Sequence, residues 1–206
     1  MKRQRWVITV LISVLFIIGW AVRFHSVNQQ AGLRLAKIEY FPMHEKVDLG
    51  HNFFYRESEN RFGYSVKVND AKLYPYADYV DELQLTVVPD EYSDYVPDYV
   101  YDLEVTVSVD VNDDGGMDMF NTKLISDSLG MRISKPLWDA LYPQLGGSYS
   151  FRLVNNSEME MHFPYVLETV QDQSVIDKNA LMRRSFYLSL SEYPVKKRIN
   201  IGPLQE

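Results

Sequence analysis

Asp110-x-Asn112-x-Asp114-Gly115, followed by Asp118, offers oxygen ligands at alternate positions with a glycine to turn the chain. A hard cation such as calcium is held by that kind of loop. Counting from Asp110, the twelfth position is Asn121, where the calcium loop of a helix–loop–helix motif places a bidentate Glu, and the flanks read as strand rather than helix. The segment reads first as a solvated turn, and Asp110, Asn112, Asp114 and Asp118 stand as the metal candidates. His44 and His51, with Glu45 and Asp48 between them, are transition-metal ligand types at a spacing that fits no i, i+4 helical pair, so they read as surface histidines. Ser126-Asp127-Ser128 lies in no G-x-S-x-G elbow, and no His–Asp pair is placed to serve it. No catalytic residue is assigned and no cofactor is expected.

A richer constellation is Tyr74, Tyr76, Tyr79, Tyr92, Tyr95, Tyr99 and Tyr101, interleaved with eight carboxylates from Asp78 to Asp102. Tyrosine supplies a large contact area at low entropic cost, which suits an interface. Tyr76, Tyr79, Tyr92 and Tyr95 are the interaction candidates. Tyr99 and Tyr101 fall on the buried side of a strand pattern, and the others serve equally well as cover for the edge of a sheet.

The elements that must position these residues are mostly strands. From Tyr99 the odd positions read Tyr99, Tyr101, Leu103, Val105, Val107, Val109 and Val111, while Asp102, Glu104, Thr106, Ser108 and Asp110 alternate with them. Period two over that length predicts a long half-buried strand with its other face wet. Shorter strands are expected at Ser65–Leu73, Asn121–Ser126, Gly130–Ser134, Ser148–Val154, Phe163–Glu168, Phe186–Leu190 and Val195–Ile201, with helical turns at Asp78–Leu83 and Trp138–Tyr142. Lys196-Lys197-Arg198 reads as a charged edge strand that resists sheet-to-sheet association. About eight strands separated by turn signals imply an all-β fold, an antiparallel sandwich.

The amino terminus differs. Trp6 to Val22 is a seventeen-residue apolar run after the basic tip MKRQR. At about 1.5 Å per residue it nearly spans a hydrocarbon core of about 30 Å, with Arg5 and Arg23 placed to snorkel. Residues 1–23 are therefore expected to be a single transmembrane helix in contact with the lipid bilayer through residues 6–22. The alternative is a signal peptide cleaved near Gly19-Trp20-Ala21, leaving a secreted protein. Residues 24–45 read as a juxtamembrane stalk with a short helix near Ala31–Lys37, and residues 46–206 as the sandwich domain.

Charge narrows the partners. The chain carries a formal net charge of −7, and between Lys72 and Lys123 there are thirteen Asp or Glu with no Lys, Arg or His. A nucleic-acid reader needs the opposite sign, whereas a cation or a basic protein surface would be attracted. The absence of cysteine suits an exported Gram-positive protein and removes thiol nucleophiles and zinc ribbons.

GYSVKVNDAKLYPY, YVYDLEVTVSVDVNDDGG, the GGSYSFR strand and the closing YLSLSEYPVKKRINI resemble the membrane-anchored, immunoglobulin-like extracytoplasmic domains of unknown function from Firmicutes. The resemblance covers about residues 45–201. It implies an immunoglobulin-like antiparallel β-sandwich at the cell surface and supplies no reaction and no functional residues. The expected function is non-enzymatic: an extracytoplasmic domain on a single-pass anchor that engages an envelope protein partner. The alternative is a calcium- or small-ligand-binding sensor module, and a third and lesser reading is a wall-active hydrolase.

Overall fold

The period-two run from Tyr99 folds as the strand it predicts, with Tyr101, Leu103, Val105, Val107 and Val109 all buried. A computed structural model describes residue 6 and residues 13–24, 36–55, 61–88, 96–111, 115–126, 129–167 and 178–203. The chain divides into two compact units, Met1–Leu35 and Ala36–Glu206.

In the first unit Trp6 and residues 13–24 (α1) are helical. Every described residue of α1 is exposed, and Trp20 stacks on Phe24 one turn later. The expected span over residues 6–22 is described only at Trp6 and from residue 13 onward. Among the described residues no helix is long and apolar enough to cross a membrane.

The second unit runs β1 (Lys37–Pro42), β2 (Val47–Asp48), β3 (Tyr64–Pro75), α2 (Tyr76–Glu82), β4 (Tyr99–Val109), β5 (Met117–Asp118), β6 (Lys123–Ile125), β7 (Gly130–Ile133), α3 (Lys135–Leu141), β8 (Ser150–Phe151), β9 (Ser157–Leu167), α4 (Lys178–Met182), β10 (Phe186–Ser189) and β11 (Val195–Gly202). It is all-β in character. Nine strands join in the order β1-β11-β10-β6-β7-β9-β4-β3-β2, and β5 pairs with β8 in a separate ribbon. All pairings are antiparallel except β1 with β11.

The antiparallel sandwich expected from the strand count, and the immunoglobulin-like form that the resemblance implied, are not the hydrogen-bonding pattern found. A sandwich keeps two sheets apart; here one large sheet curls until its margins meet on a single stretch of chain. β1 and β2 are the two edge strands, and only residues 43–46 separate them. Within that stretch the His44 N–H donates to the Val68 carbonyl (3.0 Å), and just past β2 the Leu49 N–H donates to that of Tyr64 (2.9 Å). Buried Asn52 then ties the margins together, because its Nδ2 donates to the Leu49 carbonyl (2.7 Å) while its Oδ1 accepts the Val195 N–H (3.1 Å). Phe53 and Tyr193 add a bridge beside it.

Three further expectations change. Residues 37–42, read as stalk, form β1 and belong to the sheet. Lys196-Lys197-Arg198 lies on β11, which has a strand on each side, so the charges do not guard an edge; Lys196 pairs with Glu192 (2.5 Å), and Lys197 Nζ donates to the Asp48 carbonyl. The far side of β4 is not simply wet, since Val100 and Asp102 are buried there.

One core fills the curled sheet, built from inward residues of β2, β3, β4, β6, β7, β9, β10 and β11. Trp138 of α3 plugs it, packed on Tyr142, Tyr149 and Phe163, and its indole N–H donates to the Ser148 carbonyl (2.9 Å). Arg61 enters at another point, donating to the carbonyls of Leu190 (2.6 Å) and Asp118 (2.5 Å) with its guanidinium over the Phe54 ring.

Three variants probe this arrangement by equilibrium urea unfolding. Leu103→Ala, in the middle of β4, is expected to cost about 2–5 kcal/mol through lost burial and a residual cavity, whereas exposed Val154→Ala stays within about 0.5 kcal/mol. Asn52→Ala takes the side-chain acceptor from the Val195 N–H, while the Leu49 carbonyl keeps the backbone N–H of residue 52, and is expected to cost about 1–3 kcal/mol.

Candidate functional site

The outer face of the β3–β4–β9 part of the sheet carries the densest group of ionisable side chains, and a bulge in β3 puts them there. Tyr64, Val66 and Val68 are buried in the core, but the pairing then steps from Val68↔Val105 to Asp70↔Glu104, leaving Asn69 as the extra residue. Past that step Ala71 and Leu73 pack against the core, so Asp70, Lys72 and Tyr74 face outward. Asn69 Nδ2 donates to Thr106 Oγ1 (2.7 Å) and steadies the bulge.

On β4 the same outer face presents Asp102 and Glu104, and on β9 it presents His162. Glu104 lies directly opposite His162 in register, with Asp102 on the diagonal. α2 follows β3 directly and covers Asp102 from above: Tyr79 packs with Val100 and Leu137 in a small second core. Asp102 is thus a buried carboxylate with two partners. The Tyr79 hydroxyl donates to Oδ1 (3.1 Å), and His162 Nδ1 lies 2.7 Å from Oδ2.

His162 is held from its other side through the backbone. Its N–H donates to the Tyr142 hydroxyl (2.7 Å), which in turn donates to the His162 carbonyl (3.2 Å). β7 pairs with β9 only from Tyr165 onward, so the Tyr142 hydroxyl supplies hydrogen bonds where no neighbouring strand reaches. The imidazole itself is 37% exposed and has no described partner on Nε2.

A cleft of about 160 Å³ opens over this pair, lined by Asp70, Lys72, Glu82, Asp102, Glu104 and His162, with Ala71, Tyr74 and Leu83 completing the wall. A hydrogen bond to Asp102 is the largest influence on His162 and raises its pKa above 6.5, with burial opposing. The Tyr79 hydroxyl is pushed up by burial and then by the Asp102 carboxylate, so it stays a donor. The Lys72 ammonium, 2.8 Å from Asp70, holds that carboxyl below its usual value and is itself raised by it. Four carboxylates against one lysine leave the cleft acidic. The histidine has a fixed Nδ1 and an available Nε2, so the site can exchange a proton and attract a cationic group. Among the described residues no serine or threonine hydroxyl lines the cleft.

The residues singled out from sequence are distributed differently. Tyr79 is buried as the Asp102 partner and Tyr76 is part of the second core; Tyr92 and Tyr95 lie outside the described residues. Of the calcium candidates, Asp110 is exposed 3.8 Å from Lys46, and Asp118 Oδ1 accepts the Phe120 N–H (2.7 Å). Asn112 and Asp114 lie outside the described residues, and among the described ones no three His, Asp or Glu side chains are placed to hold a metal ion. His51 stacks on Phe62. Sequence reasoning missed the Asp102–His162 pair, since sixty residues separate its members; Asp102, a carboxylate within a valine-rich strand, was the available signal.

With its folded pKa above 6.5, His162 adds stability that is complete below that value and is lost as pH rises through the folded pKa. Asp102→Asn is expected to return the His162 titration, read from its ring-proton NMR shift, toward 6.5. The same change should cost about 1–3 kcal/mol and flatten the fall in unfolding free energy as pH rises from 6.5 through the folded His162 pKa.

No curated protein and no solved structure matches this chain. The family described as a domain of unknown function (DUF5028) matches residues 38–197. That stretch begins in β1, ends in β11 and contains every residue of the cleft. On that match over most of its length, the chain belongs to this family of domains of unknown function (DUF5028).

Proposed function

We propose that this chain is a membrane-tethered binding module whose body, on the outer side of the membrane, takes a basic side chain of an envelope protein into the Asp102–His162 cleft. The observation that carries the reading is the cleft itself: a small concave site with four carboxylates, floored by a buried and already satisfied Asp102. Its volume of 160 Å³ suits the tip of a lysine or arginine, being room for about five waters. The field adds to this, because the stretch from Lys72 to Lys123 is without basic residues and a partner of positive sign is drawn to it. Among the described residues no serine or threonine hydroxyl lines the cleft, and what its carboxylates offer most directly is charge complementarity to a basic group.

The tether rests on the amino-terminal unit. Val14, Leu15, Phe16, Ile17, Ile18, Trp20, Val22 and Phe24 are all exposed on α1, and a helix that is apolar all round needs a hydrocarbon environment or a large partner. The apolar run from Trp6 and the basic tip before it make the bilayer the simpler cover.

Three measurements test the proposal. Alkaline carbonate is expected to leave the full chain in the membrane pellet, and protease added to intact cells is expected to digest the body; a body that resists until lysis overturns the placement. Binding of a lysine- and arginine-rich peptide to the detergent-solubilised chain is expected to weaken about tenfold or more in Glu104→Gln/Glu82→Gln and to weaken with added salt. Unchanged affinity in that variant overturns the cleft as the site. Equal occupancy by free methylguanidinium and by the peptide would make the occupant a small cation rather than a protein.

A further inference from the structure

The wall of the cleft formed by α2 is a short helix held by a small apolar cluster around Tyr79 and by the bond from Tyr79 to Asp102. α2 has seven residues, no side-chain N-cap hydrogen bond and no basic residue in its last turn. A helix of that length is marginal without tertiary packing. Its packing runs through Tyr79: the ring is buried with Val100 and Leu137, it tilts against Tyr74 (5.4 Å between centroids), and its hydroxyl donates to Asp102. The residues after α2 return on backbone bonds that depend on the helix, Leu83 N–H to Tyr79, Gln84 N–H to Asp81 and Leu85 N–H to Val80. Gln84 sits at φ 51°, the left-handed position that closes the helix end with these bonds, so the cap is present only while α2 is.

We propose that α2 is a proton-controlled wall: protonated His162 compensates the buried Asp102 and seats Tyr79 and α2 over it, and loss of that proton loosens α2 and opens the cleft. The physical cause is desolvation. A carboxylate under α2 is tolerated while a cation is bonded to it; once the imidazole is neutral, Asp102 is a buried charge whose hydration improves if α2 lifts away. α2 and Tyr79 are the cover nearest water, whereas β4 beneath is paired on both sides.

The charged and titratable neighbours set the direction. On β3, Asp70 is engaged by Lys72, and Lys72 opposes the charge on His162. On β4, Asp102 and Glu104 favour it. Tyr74 of β3, Tyr79 of α2 and Tyr142 after α3 stay neutral, their hydroxyls raised by burial first, and Glu82 of α2 lies on the cleft wall. Loosening therefore accompanies rising pH. The cleft reading of the preceding section is needed only for the consequence, that partner access varies with pH; the motion stands without it.

Hydrogen exchange of the full chain tests the proposal, with each amide corrected for its intrinsic rate at every pH. Protection at Leu83, Gln84 and Leu85 is expected to fall by about tenfold or more as pH rises through the His162 transition, while Val105 and Val107 hold constant. The midpoint of that loss is expected to coincide with the ring-proton titration of His162 in the same sample. Tyr79→Phe, which keeps the packing and removes the bond to Asp102, is expected to uncouple the two. Protection that does not change with pH, or that changes at a midpoint unlike that of His162, or an unaltered response in Tyr79→Phe, would overturn the latch. Failure of the basic peptide to bind while the exchange transition persists would instead overturn only the recognition reading.

Discussion

A long sheet has two rows of unpaired backbone groups, and the way this molecule satisfies them governs the rest of its architecture. One segment, from Lys37 to Phe53, pairs with β11 at its start and with β3 further on, so both margins end on the same stretch of chain. Asn52 then spans the join with one donor and one acceptor. Closure of this kind removes most of the exposed edge that invites association between molecules. It also forces the inward faces of eight strands toward one interior, which is why a single core suffices and why Trp138 is needed to fill one end.

Closure has a consequence on the outside. A curled sheet has only one inner face, so polar side chains on the other face meet water unless something covers them. α2, inserted between β3 and β4, covers one patch and creates a second small core around Tyr79. Asp102 is caught under that cover. Its burial would be costly alone, and the Tyr79 hydroxyl and His162 imidazole supply what water no longer does. The polar cleft is the open margin of that cover, where Asp70, Lys72, Glu104 and the end of α2 converge. The β3 bulge belongs to the same logic, since without the extra residue Asp70 and Lys72 would face the apolar interior.

Much of the local structure was legible along the chain. The Tyr99–Val109 alternation, the Ser65–Leu73 strand, the helical turns near Asp78 and Trp138 and the carboxy-terminal strands all appear close to where period and turn chemistry put them. Two strands were harder. KIEYFP of β1 alternates weakly and buries little, since a parallel edge strand offers few side chains to the core. SEMEMH, the first half of β9, does alternate, but Glu and Met are helix formers by intrinsic preference, and the period is carried by methionines rather than valines. Tyr79 was hard to read for a related reason: Tyr suits an interface and a core alike, and whether it meets a partner or Asp102 depends on what lies beneath it.

What the sequence determined alone is therefore short-range: which segments extend, which face of β4 is apolar, where the acidic stretch lies, and where the amino-terminal apolar run lies. These follow from side-chain period, hydropathy and charge, each readable within a dozen residues. Tertiary structure decided the rest. Whether nine strands form one sheet or two depends on pairings between segments as distant as Lys37 and Val195. The meeting of Asp102 with His162 depends on the register of β4 against β9, and their enclosure depends on where α2 falls. Register and closure are set by the summed burial of a whole interior, and no local window of residues contains that sum.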